Sequence, residues 1–239
     1  MERRDAVAIV TGASRGLGFE IAKTYGKLGM RLAITARDQD ELARSARELG
    51  EFTQVLSIAG DVADRRHAQR LIAETVRRFG GIDVLVNNAS ELGPSPMPAL
   101  QQLTTIEFER ILAVNTIAPL RLAQLALPYL TQRAGVLINV SSDAGINAYA
   151  NWGGYGSSKA ALEHWSHILS AEIKDSNMRI FVVDPGDMDT HMHRLAEPGA
   201  DLSHLPHPAA VAPAFAQLLD DPRPYARLEA QKLLTAGIV

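Results

Sequence analysis

The chain has 239 residues, of which 46% are hydrophobic and 21% charged, with a formal net charge of -3 and no long run of either sign. That balance describes an ordinary globular chain and argues against a nucleic-acid or lipid surface, while zero cysteines exclude a disulfide framework, a thiolate metal site and a cysteine nucleophile. No apolar stretch approaches the roughly 20 residues that span a bilayer, and MERRDAVAIV runs straight into a strand without a signal-like apolar region, so the cytoplasm is the expected compartment.

VAIVTGA (7–13) predicts a first strand, and a helical pattern follows near 16–29. Between them Gly12, Gly16 and Gly18 stand in a GxxxGxG spacing. Glycines at such a turn let the backbone approach a pyrophosphate at a helix amino terminus, where free N–H groups and the helix dipole favour an anion. A glycine pattern alone is weak; its place in the first strand-to-helix turn is what points to a dinucleotide. RLAITAR (31–37) predicts the second strand, with a helix over 39–50. An acidic residue at the end of that strand would bond a ribose 2′-hydroxyl, but here the strand ends Ala36-Arg37, with Asp38 only afterwards. Arg37, with Ser14 and Arg15 from the glycine turn, suits a 2′-phosphate held by charge-assisted hydrogen bonds. NADP(H) is therefore favoured, with NAD(H) as the alternative. The bland reading makes Arg37 a surface charge and Asp38 a helix N-cap.

Further strands are predicted at VLSIAGDV (55–62), DVLVNNA (83–89), GVLINVSS (135–142) and RIFVVDPG (179–186), with helices near 64–80, 104–132, 153–176 and 209–221. ELGPSPMPAL (91–100) reads as an extended loop, 187–208 as an irregular substrate loop, and YARLEAQKLLTAGIV as the source of a last short strand. Strand and helix alternating in this way imply a doubly wound α/β fold: one domain over 1–239, with a parallel sheet of six to seven strands and helices on both faces. Ligands of such sheets collect beyond the carboxyl ends of the strands.

Within the 104–132 helix, Asn115 follows Phe108 by seven residues and Ile111 by four, so a polar side chain lies on the apolar stripe. Pro119, four residues later, withholds the N–H that the Asn115 carbonyl would accept, which predicts a kink. Tyr155 and Lys159 are one helical turn apart and project from one face. By spacing alone they would be a surface pair, yet an ammonium beside a phenol favours the phenolate and would lower a pKa that is ordinarily about 10. His191, His193, His204 and His207 fall in the 187–208 loop, where their irregular spacing is a weak metal signal, and no metal site is expected.

TGASRGLG, GDV, NNAS, Asn115 in ILAVNTIAP, Ser142 in INVSS, YGSSK and PGDMDT occur in order along the chain. Together they resemble the short-chain dehydrogenase/reductase family, in its shorter single-domain branch, over roughly residues 5–190. The resemblance implies a catalytic group of Asn115, Ser142, Tyr155 and Lys159. Tyr155 would be general acid in carbonyl reduction and base in the reverse oxidation, and Ser142 would bond the carbonyl oxygen. The Asn115 carbonyl would hold a water that links Lys159 to solvent. Ser141 and Ser142 point to opposite faces of a strand, and the family's spacing of thirteen residues before the tyrosine selects Ser142. For the cofactor, contacts are expected from the glycine turn, including Ser14, Arg15 and Leu17, and from Arg37, and the resemblance implies Asp61 and Val62 near the adenine. It adds Asn87, Asn88 and Ala89 on the cofactor side, and Pro185, Gly186 and Thr190 near the nicotinamide, beside Tyr155 and Lys159.

Two features depart from the family pattern: Ser90 follows NNA where glycine is usual, and the carboxyl terminus lacks an Asp-Gly-Gly ending. Ala161, Leu162, Trp165, Ile168 and Leu169 form a predicted buried stripe that serves either the core or a subunit interface, while His164 and His167 decorate or pack the same helix. The resemblance implies a homodimer or homotetramer. The expected activity is NADP(H)-dependent interconversion of a carbonyl and an alcohol on a small-molecule ketone, aldehyde or 3-oxoacyl group, with Trp152, Met188, Met192 and Leu195 as an apolar lining. Two other readings are a dinucleotide-binding sensor without turnover and a nucleotide-sugar epimerase or dehydratase. The GxxxGxG spacing and short carboxyl-terminal region argue against the latter.

Overall fold

A computed structural model describes residues 3–236. Seven parallel strands form one sheet: β1 (Val7–Thr11), β2 (Arg31–Thr35), β3 (Val55–Ser57), β4 (Val84–Asn87), β5 (Val136–Val140), β6 (Arg179–Asp184) and β7 (Tyr225–Glu229), in the order β3-β2-β1-β4-β5-β6-β7. All five residues of β1 and of β5 are buried, which explains why these strands read as continuous apolar runs: helices cover both sheet faces. On one face α1 (Gly16–Lys27) sets Leu17, Ile21 and Tyr25 against the sheet, joined by Phe215 from near the carboxyl end. On the other, α3 (Arg65–Phe79) and α5 (Ala118–Gln132) contribute Leu71, Leu122 and Leu130. α2 (Gln39–Leu49) starts at Asp38, whose carboxylate accepts from Glu41 N–H at 2.8 Å.

β1 lies between β2 and β4, so successive crossovers leave it in opposite directions. The crevice at that reversal, beyond the strands' carboxyl ends, is where this topology places a ligand.

Several boundaries differ from expectation. The predicted strand 55–62 is regular only over Val55–Ser57, although Ile58 and Gly60 N–H still donate to the Ile34 and Ala36 carbonyls at 3.0 and 2.9 Å, and Gly60 packs against the His67 ring so closely that a Cβ there would lie 2.2 Å from Nδ1. The 104–132 helix is α4 (Thr105–Leu112), a π-helical turn (Ala113–Ile117) and then α5, so the irregularity predicted around Asn115 and Pro119 is a widened turn. This 28-residue helical span, Thr105–Gln132, is long and apolar enough by length and composition to cross a bilayer, contrary to the expectation of no such stretch. In the fold its Leu122, Ala123, Ala126 and Leu130 are buried in the core. α6 (Gly153–Glu172) buries Tyr155, Ser158, Lys159, Leu162 and Ser166, whereas Ile168, placed in the predicted stripe, is 47% exposed. The 187–208 stretch contains α7 (His191–Ala196), capped by Thr190. The predicted 209–221 helix divides into α8 (Pro208–Val211) and α9 (Pro213–Gln217), because Pro213 has no N–H with which to continue the first. The expected last strand is β7, and α10 (Ala230–Ala236) follows it.

Candidate active site

The crevice is a cleft of about 1030 Å³. At one end the glycine turn forms its floor. Gly12 has φ +66°, and a Cβ there would lie 2.9 Å from Ala89 Cα; one on Gly18 would lie 2.4 Å from the Gly12 carbonyl oxygen. Both close approaches require glycine. Thr11 ties this turn to the end of β4: its hydroxyl accepts from the N–H groups of Asn88 and Ala89, each at 3.0 Å, and Asn88 Nδ2 donates back to the Thr11 carbonyl at 2.9 Å. The amino terminus of α1 has no side-chain cap. Its N–H groups, opening on the cleft beside Ser14 and Arg15, suit a phosphate.

At the other end α6 carries Tyr155 and Lys159 into the wall. Both are buried, and Lys159 Nζ lies 5.4 Å from the Tyr155 ring centroid while donating to the Val140 carbonyl at 2.9 Å. Ser142 follows β5 and caps a short 3-10 turn (Asp143–Gly145); its hydroxyl accepts from Ala144 N–H at 3.1 Å and donates to Asp143 Oδ1 at 3.1 Å. Ser141 is turned away and donates to Glu163 Oε1 at 2.6 Å. Ser142, Tyr155 and Lys159 thus share one wall, with Pro185, Gly186 and Thr190 also lining the cleft.

Sequence and fold comparisons give the same answer. A family model described as short chain dehydrogenase matches residues 6–200. The chain is 35% identical to 2-(R)-hydroxypropyl-CoM dehydrogenase of Xanthobacter autotrophicus over 78% of its own length and 76% of the relative's. The chain belongs to the short chain dehydrogenase family. That membership makes it a nicotinamide-dependent oxidoreductase of this class. Among solved structures, an alcohol dehydrogenase from Thermococcus sibiricus complexed with 5-hydroxy-NADP superposes with a TM-score of 0.84, at 30% identity over 94% of this chain and 95% of that one. A short chain dehydrogenase from Escherichia coli CFT073 complexed with NADPH gives a TM-score of 0.88, at 30% identity over 95% and 97%.

Two of the asparagines have side chains held in structural networks, and the Tyr155 phenol departs from expectation. Asn115 is buried behind the cleft, its amide saturated: Nδ2 donates to the Glu91 carbonyl at 2.8 Å and to Ser158 Oγ at 2.9 Å, and Oδ1 accepts from Glu91 N–H at 2.8 Å and Ser90 Oγ at 3.2 Å. Its side chain pins the loop after β4, and Ser90, the residue in place of the usual glycine, joins that network. Asn87 is likewise structural, donating to Asn139 Oδ1 at 2.8 Å, whereas Asn88 and Ala89 line the cleft. The Tyr155 phenol is pushed above its usual range rather than below it: burial is the largest cause, hydrogen bonding with Ser90 opposes it, and the Asp184 charge adds to it. Lys159 is pulled down to about 8 by burial, against the nearby Glu163 carboxylate. The expected mutual stabilisation is outweighed because both charged forms lose water here.

The donors expected around a 2′-phosphate are at the cleft, and each meets a carboxylate. Glu41 accepts from Ser14 Oγ at 3.3 Å and pairs with Arg15 at 3.4 Å, and Glu91 pairs with Arg37 at 3.2 Å. Asp38 is committed to capping α2, as the bland reading had it. Arg110 of α4 pairs with Asp61 at 2.8 Å and with Glu91 at 3.1 Å. Asp61 is held below its usual range: burial raises it, and the Ala63 N–H and Arg110 more than offset that. Arg110, Glu91 and Asp143 carry no motif that would have singled them out, and Thr11 opens TGASRGLG without a role being read from it.

Proposed function

We propose that the chain is an NADP(H)-dependent oxidoreductase that interconverts a small-molecule carbonyl and the corresponding alcohol, with Tyr155 exchanging the proton at the oxygen. The observation that carries this reading is the shared wall of Tyr155, Lys159 and Ser142, facing the same cleft as the glycine turn. The fit to a dinucleotide rests on the Gly12 and Gly18 cradle, the uncapped α1 terminus and the Ser14, Arg15 and Arg37 donors. When bound, the nicotinamide supplies or takes up the hydride. Ser142 turns its hydroxyl from Asp143 to the substrate oxygen and stabilises negative charge there. Tyr155, kept protonated by burial, gives its proton to that oxygen in reduction and takes one back in oxidation. Lys159 holds the Tyr155 ring from one side and is anchored by Val140.

The substrate end combines Trp152, Met188, Met192 and Leu195 with Asp143, Asp187 and Asp189. Trp152 stands edge-on to Tyr155 at 5.8 Å and to Tyr149 at 6.1 Å. Apolar walls with an acidic rim suit a neutral ketone or aldehyde better than an anionic thioester. We further propose a homo-oligomer that covers the exposed Ile117 and Ile168, to be checked by sedimentation.

The test is oxidation of NADPH or NADH by the purified protein with a panel of ketones, aldehydes and 3-oxoacyl thioesters, beside Tyr155→Phe. Expected are a preference for NADPH, turnover of neutral carbonyls about tenfold above anionic analogues, and a fall of roughly 10²- to 10⁴-fold in the variant. NADPH binding without turnover of any substrate would support a non-turning sensor instead, and undiminished turnover by Tyr155→Phe would remove the tyrosine from the chemistry.

A further inference from the structure

Behind the cleft, three segments far apart in the chain meet at one carboxylate. Glu163 lies one helical turn after Lys159 on α6, and its Oε1 accepts from Ser141 Oγ at 2.6 Å. Its Oε2 pairs with Arg227 Nε at 2.9 Å. Arg227 belongs to β7, two strands from β5, where it is in register with Val182 of β6. Its other arm, Nη2, donates to the Ser142 carbonyl at 3.3 Å, a carbonyl that also accepts from Gly145 N–H at 3.0 Å. The pair is largely enclosed, with side-chain exposures of 24% for Arg227 and 12% for Glu163. The fit is close on the other side too, since a Cβ on Gly145 would lie 3.0 Å from Glu163 Oε1. A planar guanidinium with one arm on a carboxylate and another on a carbonyl fixes direction as well as distance.

We propose that Arg227 and Glu163 form a strut that positions Ser142, locking the backbone on both sides of the residue so that its hydroxyl stays presented to the cleft. The proposal rests on the reading that Ser142 bonds the substrate oxygen. Sequence spacing gives no hint of it, because Arg227 lies 85 residues from Ser142 and beyond the matched family region, which ends at residue 200. The strut makes β7 part of the active-site framework. It also gives Ser141, which the catalytic group leaves unused, a part in holding its neighbour.

The experiment is a double-mutant cycle of Arg227→Met and Ser142→Ala. It is read as kcat and KM with NADPH and the neutral carbonyl turned over fastest in the panel, together with the dissociation constant for NADPH. Misplacement by an ångström lowers rate up to about 10²-fold, so Arg227→Met should lower kcat by roughly 10- to 100-fold, with NADPH binding within about twofold of wild type. In the Ser142→Ala background the same substitution should change kcat by less than about threefold, since a strut acting through Ser142 has nothing left to position. Arg227→Lys should recover part of the loss, because an ammonium keeps Glu163 company without the fork. Should Arg227→Met fail to bind NADPH, Arg227→Lys carries the same cycle. An equal loss in both backgrounds overturns the proposal and marks Arg227 as a prop for the fold in general. Full activity of Arg227→Met beside a slow Ser142→Ala overturns it too, leaving the role of Ser142 intact. Full turnover by Ser142→Ala overturns that role, and the strut with it.

Discussion

Lys159 keeps 2% of its surface exposed and has one hydrogen bond, to the Val140 carbonyl. Its pKa falls from the usual 10.5 to about 8, so folding penalises the ammonium below pH 8, and the penalty fades as pH rises from about 8 towards 10.5. Lys159→Met should therefore raise Tm by a few degrees at pH 6.5 and by less at pH 9, while turnover collapses; thermal unfolding at the two pH values checks this. A variant less stable at pH 6.5 would show that the Val140 bond outweighs desolvation. At the glycine turn, Gly12→Ala combines a positive φ with a 2.9 Å contact and should abolish measurable NADPH binding by fluorescence titration. The glycine's identity was readable from GxxxGxG, but its partner was not. Asn88 and Ala89, which press on it, come from a strand end 76 residues away in the case of Asn88.

Among the elements, helix ends were the most legible. Asp64 opens α3, its carboxylate accepting from Arg66 N–H at 2.9 Å, and Gly80 closes it at φ +83°. The predicted 64–80 helix differs only by these caps. Asp64→Ala should lower stability by about 1 kcal/mol, or roughly 2–4 °C in Tm, with turnover unchanged, since the Asp64 side chain caps α3 and is not among those lining the cleft. Short elements were less legible. α7 has six residues, too few for a period to emerge, and is marked only by its Thr190 cap. β3 is regular only to Ser57, although the Ile58 and Gly60 N–H groups still reach the Ile34 and Ala36 carbonyls and Ile58 is buried in the core. Ile168 fits the helical stripe of α6 yet is exposed, whereas Leu162 is buried, Trp165 and Leu169 pack against the core, and the polar Ser158, Lys159 and Ser166 share the buried face. Hydrophobic periodicity misses the polar members of such a face.

For the whole molecule, a ligand that binds only the folded state stabilises it by about 2.7 kcal/mol at a hundred times its dissociation constant. NADPH at that ratio should raise Tm by roughly 5–10 °C, and NADH at equal concentration by less if Arg37, Ser14 and Arg15 hold the 2′-phosphate. Equal shifts would remove that trio from cofactor choice. The doubly wound parallel sheet, a ligand site beyond the strands' carboxyl ends and the residues of the glycine turn follow from patterns that are local in the chain: runs of Val, Ile and Leu, turn glycines, and one-turn spacing on a helix. Electrostatics and framework do not, because they depend on which distant groups the packing brings together and how much water it removes. Only the tertiary structure set Glu41 and Glu91 against the expected phosphate donors, tied the Asn115 side chain to the loop after β4, raised the Tyr155 pKa by burial, and brought Arg227 to the back of Ser142.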